Sequence, residues 1–303
     1  MAKSQSVTIH VPATSANLGP AFDCLALALD LWNVVTVSLE DNRRLRINIK
    51  GEGEGILSSS KNNLIYQAFS LALERHHFKL PLGLSIHCQN QIPPASGLGS
   101  SSSAIIAGLL AADALFGLNM DPQSLLALAL ELESHPDNIA ACLIGGLVIV
   151  LQENGALITR KVETAPIKAV IALPQISLST KEARAALPQQ YTREDVVFNI
   201  SRTALLIESL VSGNFSDLQI AMQDYIHQPY RLSLIPGAEG ALKSALDAGA
   251  LGVSLSGAGP ALIAFYLNSP RAIGQAMTSA FNKEHVPVRI FNVSNAQSGA
   301  WIS

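Results

Sequence analysis

Hydrophobic and polar residues alternate along several short stretches of this 303-residue chain, and strict alternation is typical of half-buried β-strands. Ser6–Val11 is the first such stretch, and Leu82, Leu84, Ile86 and Cys88 form another before a segment rich in glycine and serine. Strands are thus expected in both halves of the chain. The others are Val34–Leu39, Arg44–Lys50, Leu147–Leu151, Ala169–Leu173, Val253–Ser256, Ala261–Tyr266 and Val288–Val293.

Other stretches carry apolar residues at intervals of three and four, which predicts amphipathic helices. The helix predicted over Asn63–His76 has Asn62 or Asn63 as its candidate N-cap. The apolar run Cys24–Leu31 is also helix-like, with Asp23 as its candidate N-cap. The remaining predicted helices are Ser103–Phe116, Pro122–Glu133, Asp195–Ser212, Phe215–Asp224, Gly237–Ala248 and Pro270–Asn282.

Strands and helices are mixed without regular β-α-β alternation, which predicts an α+β fold. A chain of 303 residues can form two ordinary domains. Because the pattern loosens around Gly155–Pro166, we predict two α+β domains that meet near this segment.

The composition narrows the class of protein. Hydrophobic residues make up 49% and charged residues 14% of the chain, which favours a large core over disorder. The net charge is −3 and basic residues form no run, so neither nucleic acid nor a membrane surface is expected as a partner. Cys142–Leu151 is too short to span a bilayer, and no apolar signal segment opens the sequence. We therefore expect a cytoplasmic protein whose three cysteines are reduced.

The segment Ile92–Ala104, IPPASGLGSSSSA, lies between a predicted strand and a predicted helix, which is unusual for a flexible linker. Glycines allow backbone N–H groups to converge on one point, and a following helix presents its positive end there. Such a loop suits a phosphate group. The segment lacks the lysine of the Walker motif and the third glycine of the dinucleotide motif. On residue types alone, a structural turn is as good an interpretation as a phosphate site.

Three segments in order resemble the motifs of the GHMP kinases, a superfamily that includes galactokinase, homoserine kinase and mevalonate kinase. Pro93–Ser101 resembles their phosphate loop, Pro12–Asp23 (PATSANLGPAFD) their N-terminal motif and Ser256–Pro260 (SGAGP) their C-terminal glycine motif. The N-terminal motif, together with His135–Asn138 and Leu173–Arg231, is most similar to the homoserine kinase branch.

The resemblance implies a two-domain GHMP kinase fold. An N-terminal ribosomal-protein-like α+β domain with a left-handed β-α-β unit would cover residues 1–160, and a C-terminal ferredoxin-like domain residues 161–303. It also implies a homodimer that uses ATP and Mg²⁺ to phosphorylate the hydroxyl of L-homoserine, a step towards threonine. The residues implied for ATP are Asn63, Pro93, Pro94, Ala95, Ser96, Gly97, Leu98, Gly99, Ser100, Ser101, Ser102 and Ser103, and those for the metal are Ser101 and Glu133.

An amino-acid substrate needs an anion for its ammonium and cations for its carboxylate. Asp23 can serve the first need, and Arg184 and Arg231 the second, because a guanidinium binds a carboxylate with two hydrogen bonds. Each also has an ordinary structural alternative, a helix cap for Asp23 and surface ion pairs for the arginines. The resemblance assigns substrate contacts to Asn17, Asp23, His135, Asn138, Thr180, Arg184, Arg231 and Gly257.

Asn138 and Glu133 are the predicted catalytic residues. Asn138 matches the position where several kinases of the superfamily place an aspartate, and an amide is no base at neutral pH. We therefore predict transfer driven by positioning, with Asp137 as the alternative base. Glu133 matches the family's magnesium glutamate, whereas Glu131 should point elsewhere, into solvent. A kinase for another small alcohol and an inactive sensor with the same fold remain alternative functions.

Overall fold

A computed structural model describes residues 5–81, 83–154 and 156–303 and divides them into two halves, each built on one β-sheet. Leu82, predicted to begin a strand, and Gly155, predicted to lie at the domain boundary, are outside the described residues. The elements of the first half are β1 (Ser6–Ala16), β2 (Leu25–Glu40), β3 (Leu45–Gly51), α1 (Leu64–Arg75), β4 (Gly83–Asn90), α2 (Ser100–Phe116), α3 (Pro122–Leu130), α4 (Pro136–Ile144), β5 (Leu147–Glu153) and β6 (Ala156–Val162).

The second half contains more helices around a smaller sheet. Its elements are β7 (Lys168–Pro174), α5 (Thr180–Ala185), α6 (Arg193–Ser212), α7 (Leu218–Ala221), α8 (Gln228–Leu232), α9 (Ala238–Asp247), β8 (Gly252–Leu255), β9 (Leu262–Tyr266), α10 (Pro270–Lys283), β10 (Val288–Ser294) and β11 (Trp301–Ile302).

The sheet of the first half has the order β11-β1-β2-β4-β3, and β5 pairs with β2 and with β6. Strands β3 and β4 are parallel and are joined through α1, and the left-handed sense of this unit stays a prediction. Helices α1 and α2 pack closely because Gly108 has no Cβ, which would collide with the carbonyl oxygen of Ile65. This packing fixes α2, whose N-terminal end faces the cavity described below.

The second sheet is antiparallel and has the order β10-β7-β9-β8. Numbered within this sheet, the order is 4-1-3-2, with helices α5 to α9 after the first strand and α10 after the third. This is the arrangement of a ferredoxin-like domain with additional helices in the first connection. The predicted fold of this half is therefore confirmed.

The two halves share an apolar cluster. Leu18 and Leu25 of the first half and Ile171 and Phe265 of the second belong to the same buried group. Strand β11 also returns to the first sheet and pairs with β1. The domain limits at residues 160 and 161 stay a prediction, and β6 of the first sheet extends past both, to Val162.

Several predicted elements differ from the structure. The run Cys24–Leu31 belongs from Leu25 onward to strand β2, and not to a helix, because Leu25–Leu29 is buried on both faces and a continuous apolar run has no period. The helix predicted to end at Glu133 ends at Leu130, so Glu133 lies in the loop before α4. Only α7 forms within the helix predicted over Phe215–Asp224. The short elements α4, α5, α8 and β6 were not predicted.

Candidate active site

A cavity of about 510 Å³ opens between the two halves. The first half contributes the loop between β4 and α2, and the second half contributes α5, α8 and the turn after β8. Every residue predicted for nucleotide, metal or substrate lines this cavity, except Pro93 and Leu98. Both of these are buried, and their contact with the nucleotide stays a prediction. The other predicted contacts meet in one place.

The loop before α2 has the backbone geometry of an anion site. Ala95, Gly97 and Gly99 all have positive φ angles, of 50°, 82° and 71°. Such alternation of backbone handedness turns successive N–H groups toward one concave face. A Cβ on Gly97 would collide with the carbonyl oxygen of Ser256, and one on Gly99 with Oγ1 of Thr14. Both positions therefore require glycine.

Helix α2 begins directly behind this loop, and no side chain caps its first turn. The N-terminal end of this 17-residue helix lies on the cavity. The first N–H groups of a helix have no acceptor within the helix, and the positive end of the helix dipole lies at the same place. The arrangement can hold the phosphates of a nucleotide without a lysine.

The serines of the loop have different tasks. Ser96 Oγ donates to the carbonyl oxygen of Pro93 at 2.7 Å, and Ser103 Oγ donates to that of Ser100 at 2.9 Å, so both stabilise the loop itself. Ser101 Oγ instead donates to Glu133 Oε2 at 2.8 Å. Ser101 is therefore the loop hydroxyl placed beside a carboxylate.

Glu133 is held at this position from two sides. Its second carboxylate oxygen forms a hydrogen bond with His135 Nδ1. Burial works to raise the pKa of Glu133, but the hydrogen bonds from His135 and Ser101 outweigh burial and the pKa is lowered, so the carboxylate is ionised. A hydroxyl and an ionised carboxylate are oxygen ligands of the kind that Mg²⁺ prefers. Among the described residues no cluster of three or more His, Cys, Asp and Glu side chains could hold a metal, so a cation at this pair needs further oxygens from phosphate or water.

Glu131 behaves as the sequence predicts for a residue outside the site. Its carboxylate is exposed and forms an ion pair with Arg75. Of the two neighbouring glutamates, only Glu133 lines the cavity.

A hydrogen-bonded chain leads from Glu133 to the second half of the molecule. Arg184 Nε donates to His135 Nε2 at 3.0 Å, so His135 carries its proton on Nδ1 and donates it to Glu133. Arg184 also binds Asp23 through two hydrogen bonds of 2.7 and 3.0 Å. Arg184 and Asp23 are each more than a third exposed on their side chains, so a ligand in the cavity can reach both.

Arg231 is a buried cation without a carboxylate partner among the described residues. Only 1% of the residue is exposed, and its guanidinium donates to backbone oxygens of Ala183 and Gly257. Burial, and after it the charge of Arg184, lowers the pKa of Arg231 to about 10, and the group stays charged at neutral pH. A buried charge of this kind favours an anionic ligand in the cavity.

Asn17, Gly257 and Thr180 form part of the same wall. Asn17 Nδ2 donates to the carbonyl oxygen of Gly257 at 2.8 Å, and its Oδ1 accepts from the backbone N–H of Asp23. Asn17 therefore fixes the loop that carries Asp23. Thr180 lines the cavity in the first turn of α5.

The side chain of Asn138 has a fixed orientation. Thr14 Oγ1 donates to Asn138 Oδ1 at 2.7 Å, and Asn138 Nδ2 donates to Asp137 Oδ1 at 3.2 Å. The second hydrogen of Nδ2 has no partner among the described residues and can donate to an oxygen in the cavity. Asp137 is 2% exposed, and burial raises its pKa to about 6 despite the hydrogen bond from the backbone of Asn138.

Three functional neighbours were not singled out from the sequence. Thr14 orients Asn138, the ring of Phe22 lies 5.4 Å from the Arg184 guanidinium and 5.0 Å from that of Arg231, and His227 contacts Arg231. Thr14 and Phe22 lie within the N-terminal motif and His227 lies within the Leu173–Arg231 segment, and these two resemblances are the sequence signals that could have found them. Asn63 lines the cavity, but its side chain caps α1 by accepting from the N–H of Ile65.

Comparison with known proteins shows which family the chain resembles. The model of the GHMP kinases N terminal domain matches residues 63–146, and the model of the GHMP kinases C terminal domain matches residues 206–283. The chain is 39% identical to a homoserine kinase of Desulfitobacterium hafniense over 97% of this chain and 99% of the relative. It is 42% identical to one of Halothermothrix orenii over 92% of this chain and 90% of the relative.

Solved structures agree with the fold. The crystal structure of homoserine kinase from Cytophaga hutchinsonii superposes with a TM-score of 0.88, at 32% identity over 100% of this chain and 99% of that chain. L. major mevalonate kinase in complex with R-mevalonate superposes with a TM-score of 0.70 at 16% identity, over 99% of this chain and 97% of that chain, which is a likeness of fold alone. Within the described residues no helix is long and apolar enough to cross a bilayer.

Proposed function

The chain belongs to the homoserine kinases of the GHMP kinase family, and we propose that its cavity aligns ATP with L-homoserine so that the γ-phosphoryl group passes to the side-chain hydroxyl. The products are ADP and O-phospho-L-homoserine, on the way to threonine. The observation that carries this assignment is the pairing of an anion-binding loop with a separate set of charges suited to a zwitterion, in one cavity.

On the nucleotide side, the loop around Gly97 and Gly99 and the first turn of α2 bind the phosphates. Phosphoryl transfer depends mainly on alignment and on stabilising negative charge, and it needs no covalent help from the protein. Ser101 and Glu133 would hold Mg²⁺ beside these phosphates. The bound cation neutralises phosphate charge.

On the acceptor side, the ion pair between Asp23 and Arg184 supports recognition of a zwitterion. The substrate ammonium binds Asp23, and the substrate carboxylate binds Arg184 and Arg231. Asp23 and Arg184 thereby exchange their ion pair with each other for ion pairs with the substrate. The buried Arg231 gains a carboxylate partner.

The hydroxyl of homoserine lies near Asn138, whose free Nδ2 hydrogen orients the oxygen. An amide does not remove the proton, so alignment carries the transfer and the proton leaves late, to a phosphate oxygen. Asp137 is the alternative acceptor, and a prediction below separates the two.

A coupled assay of ADP release tests the function. We expect turnover with L-homoserine and only background with mevalonate, galactose and shikimate. Phosphorus NMR of the product should show a phosphate monoester. Equal turnover with an alcohol that has no carboxylate would contradict the assignment of Arg184 and Arg231, and no turnover with any acceptor would contradict kinase activity.

We also propose that the protein acts in the cytoplasm as a homodimer, which the family resemblance supports. Sedimentation at concentrations from the nanomolar to the micromolar range measures the mass directly. A monomer throughout this range would contradict the dimer.

A further inference from the structure

The buried ring of His227 connects two parts of the substrate site. Its Nδ1 lies 3.3 Å from a terminal nitrogen of Arg231, and its Nε2 lies 2.7 Å from the carbonyl oxygen of Gly19. Gly19 belongs to the loop between β1 and β2 that carries Asn17 and Asp23. One side chain thus contacts both the residue assigned to the substrate carboxylate and the loop assigned to its ammonium.

The partners fix the protonation of the ring. A guanidinium only donates and a carbonyl oxygen only accepts, so Nδ1 accepts from Arg231 and Nε2 carries the hydrogen. Burial lowers the pKa of His227, which keeps this neutral tautomer at physiological pH. His227 is the N-cap of α8 and Arg231 lies four residues later in this helix, and this spacing places the two side chains on the same face.

The surroundings hold the ring and the loop together. His227 is fully buried and stacks on Phe22 of the same loop, with ring centres 5.1 Å apart. Asn199 Nδ2 donates to the carbonyl oxygen of Pro20 at 2.9 Å and to Asp224 Oδ1 at 2.7 Å. The other oxygen of Asp224 accepts from the backbone N–H of His227 at 3.0 Å. The loop therefore rests on a polar platform supplied by the second half of the molecule.

We propose that His227 is a positioning residue for amino-acid recognition, which sets Arg231 for the substrate carboxylate and holds the Asp23 loop for the ammonium. The inference rests on the proposed function, because both charges are assigned to homoserine. The two contacts of the ring are separable, since each involves a different nitrogen. Loss of one contact should impair recognition of one substrate charge and leave recognition of the other charge intact.

Two substitutions separate the contacts. In His227→Gln, the amide nitrogen reaches the position of Nε2 and can still donate to Gly19, while the acceptor for Arg231 is lost. In His227→Asn, the amide oxygen reaches the position of Nδ1 and can still accept from Arg231, while the anchor to Gly19 is lost. Neither substitution adds volume to the buried site.

Three acceptors separate the contributions of the substrate carboxylate and the substrate ammonium. L-Homoserine carries both charges, 4-hydroxybutyrate keeps the carboxylate and lacks the ammonium, and 3-amino-1-propanol keeps the ammonium and lacks the carboxylate. The kcat/KM of each acceptor is measured for the natural protein and for both variants, together with the KM for ATP. Turnover of homoserine by the natural protein is the prior control, because its absence would contradict the proposed function and not the role of His227.

We expect His227→Gln to lower kcat/KM for homoserine and 4-hydroxybutyrate by about tenfold to a hundredfold, the effect of losing one hydrogen bond to a charged group, and to spare 3-amino-1-propanol. We expect His227→Asn to lower kcat/KM for homoserine and 3-amino-1-propanol and to affect 4-hydroxybutyrate less. The KM for ATP should stay within about twofold in both. An equal loss for all three acceptors, or a loss confined to ATP, would overturn the proposal.

Nitrogen-15 NMR of the natural protein labelled at histidine covers the case in which neither variant folds. The His227 resonances should report a neutral ring with its hydrogen on Nε2, and the Nδ1 resonance should move when 4-hydroxybutyrate is added at a concentration that saturates the site. A protonated ring, or an Nδ1 resonance indifferent to every carboxylate-bearing ligand that binds, would equally overturn it.

Discussion

We propose that Glu133 holds Mg²⁺ beside the phosphates, and its neighbour Glu131 provides a matched control for this role. Glu133→Gln removes the ionised oxygen beside Ser101, and we expect kcat to fall by a factor of about 10² or more, because magnesium clamps supply several kcal/mol. Glu131→Gln changes an exposed carboxylate paired with Arg75 and should leave kcat unchanged. Near-normal turnover of Glu133→Gln at saturating Mg²⁺ would refute the metal assignment.

Arg231, which we propose to bind the substrate carboxylate, offers the most direct test of substrate specificity. We expect Arg231→Ala to weaken homoserine binding by about 2–4 kcal/mol, as truncation of a partner in a buried charge pair does, and to leave the KM for ATP unchanged. Lysine should rescue the loss in part, because an ammonium cannot reproduce the two hydrogen bonds of a guanidinium. An equal loss for 3-amino-1-propanol would mean that Arg231 supports the structure and does not bind the carboxylate.

Asp137 is the residue that distinguishes the two possible acceptors of the substrate's hydroxyl proton, a phosphate oxygen and a carboxylate base. Burial raises its pKa to about 6, so the native state binds a proton more readily than the unfolded chain does. The ionised form therefore lowers stability as the pH rises from about 4 to about 6. We expect Asp137→Asn to raise the Tm at pH 7–8, with the difference vanishing below about pH 4.

The same variant reports on catalysis. If alignment alone drives the transfer, Asp137→Asn retains substantial turnover, and kcat of the natural protein lacks a carboxylate limb between about pH 5 and 7. A loss of about four orders of magnitude in the folded variant would make Asp137 the base. A raised Tm without loss of kcat is the expected outcome.

At the level of elements, the glycine loop can be tested through its backbone. Gly99 has a φ of 71° and packs against Thr14, whereas Gly117, the C-cap of α2, has a φ of 62° and open space around it. Alanine at Gly117 should cost only the backbone strain of about 1–2 kcal/mol. Alanine at Gly99 adds a collision, and we expect a rise in the KM for ATP of about tenfold or more, measured in the coupled assay. If both substitutions changed the KM for ATP equally, the loop would have no specific role in nucleotide binding.

The elements also show which features could be predicted from the sequence. Alternation found strands such as Ser6–Val11 because one face of the strand is more buried than the other. Alternation failed for Leu25–Leu29, which is buried on both faces. Helical spacing failed for α4 and α8, which span only 9 and 5 residues. The site followed from motifs, whereas the contacts of His227 and Thr14 depend on chain segments brought together by folding, across 208 and 124 residues.

At the scale of the whole molecule, the chain has two separate sheets, but we expect the two halves to be stable only together. The buried cluster at the interface takes Leu18 and Leu25 from the first half and Ile171 and Phe265 from the second. The loop between β1 and β2 also takes its polar support from His227 and other residues of the second half. Neither half can bury these groups alone, and the apolar area left exposed would favour aggregation.

We therefore expect fragments 1–163 and 164–303 to be unstable when expressed separately, and to form one cooperatively unfolding complex when expressed together. The cut falls between β6 and β7, so it leaves every strand of the second sheet intact, and it removes from the first sheet only the two residues of β11. Calorimetry and circular dichroism check both outcomes. A sharp unfolding transition in either isolated fragment would mean that the sheet of that fragment is stable by itself. The cleft would then lie between independent units, and the cavity would owe its alignment to the linker and not to the shared core.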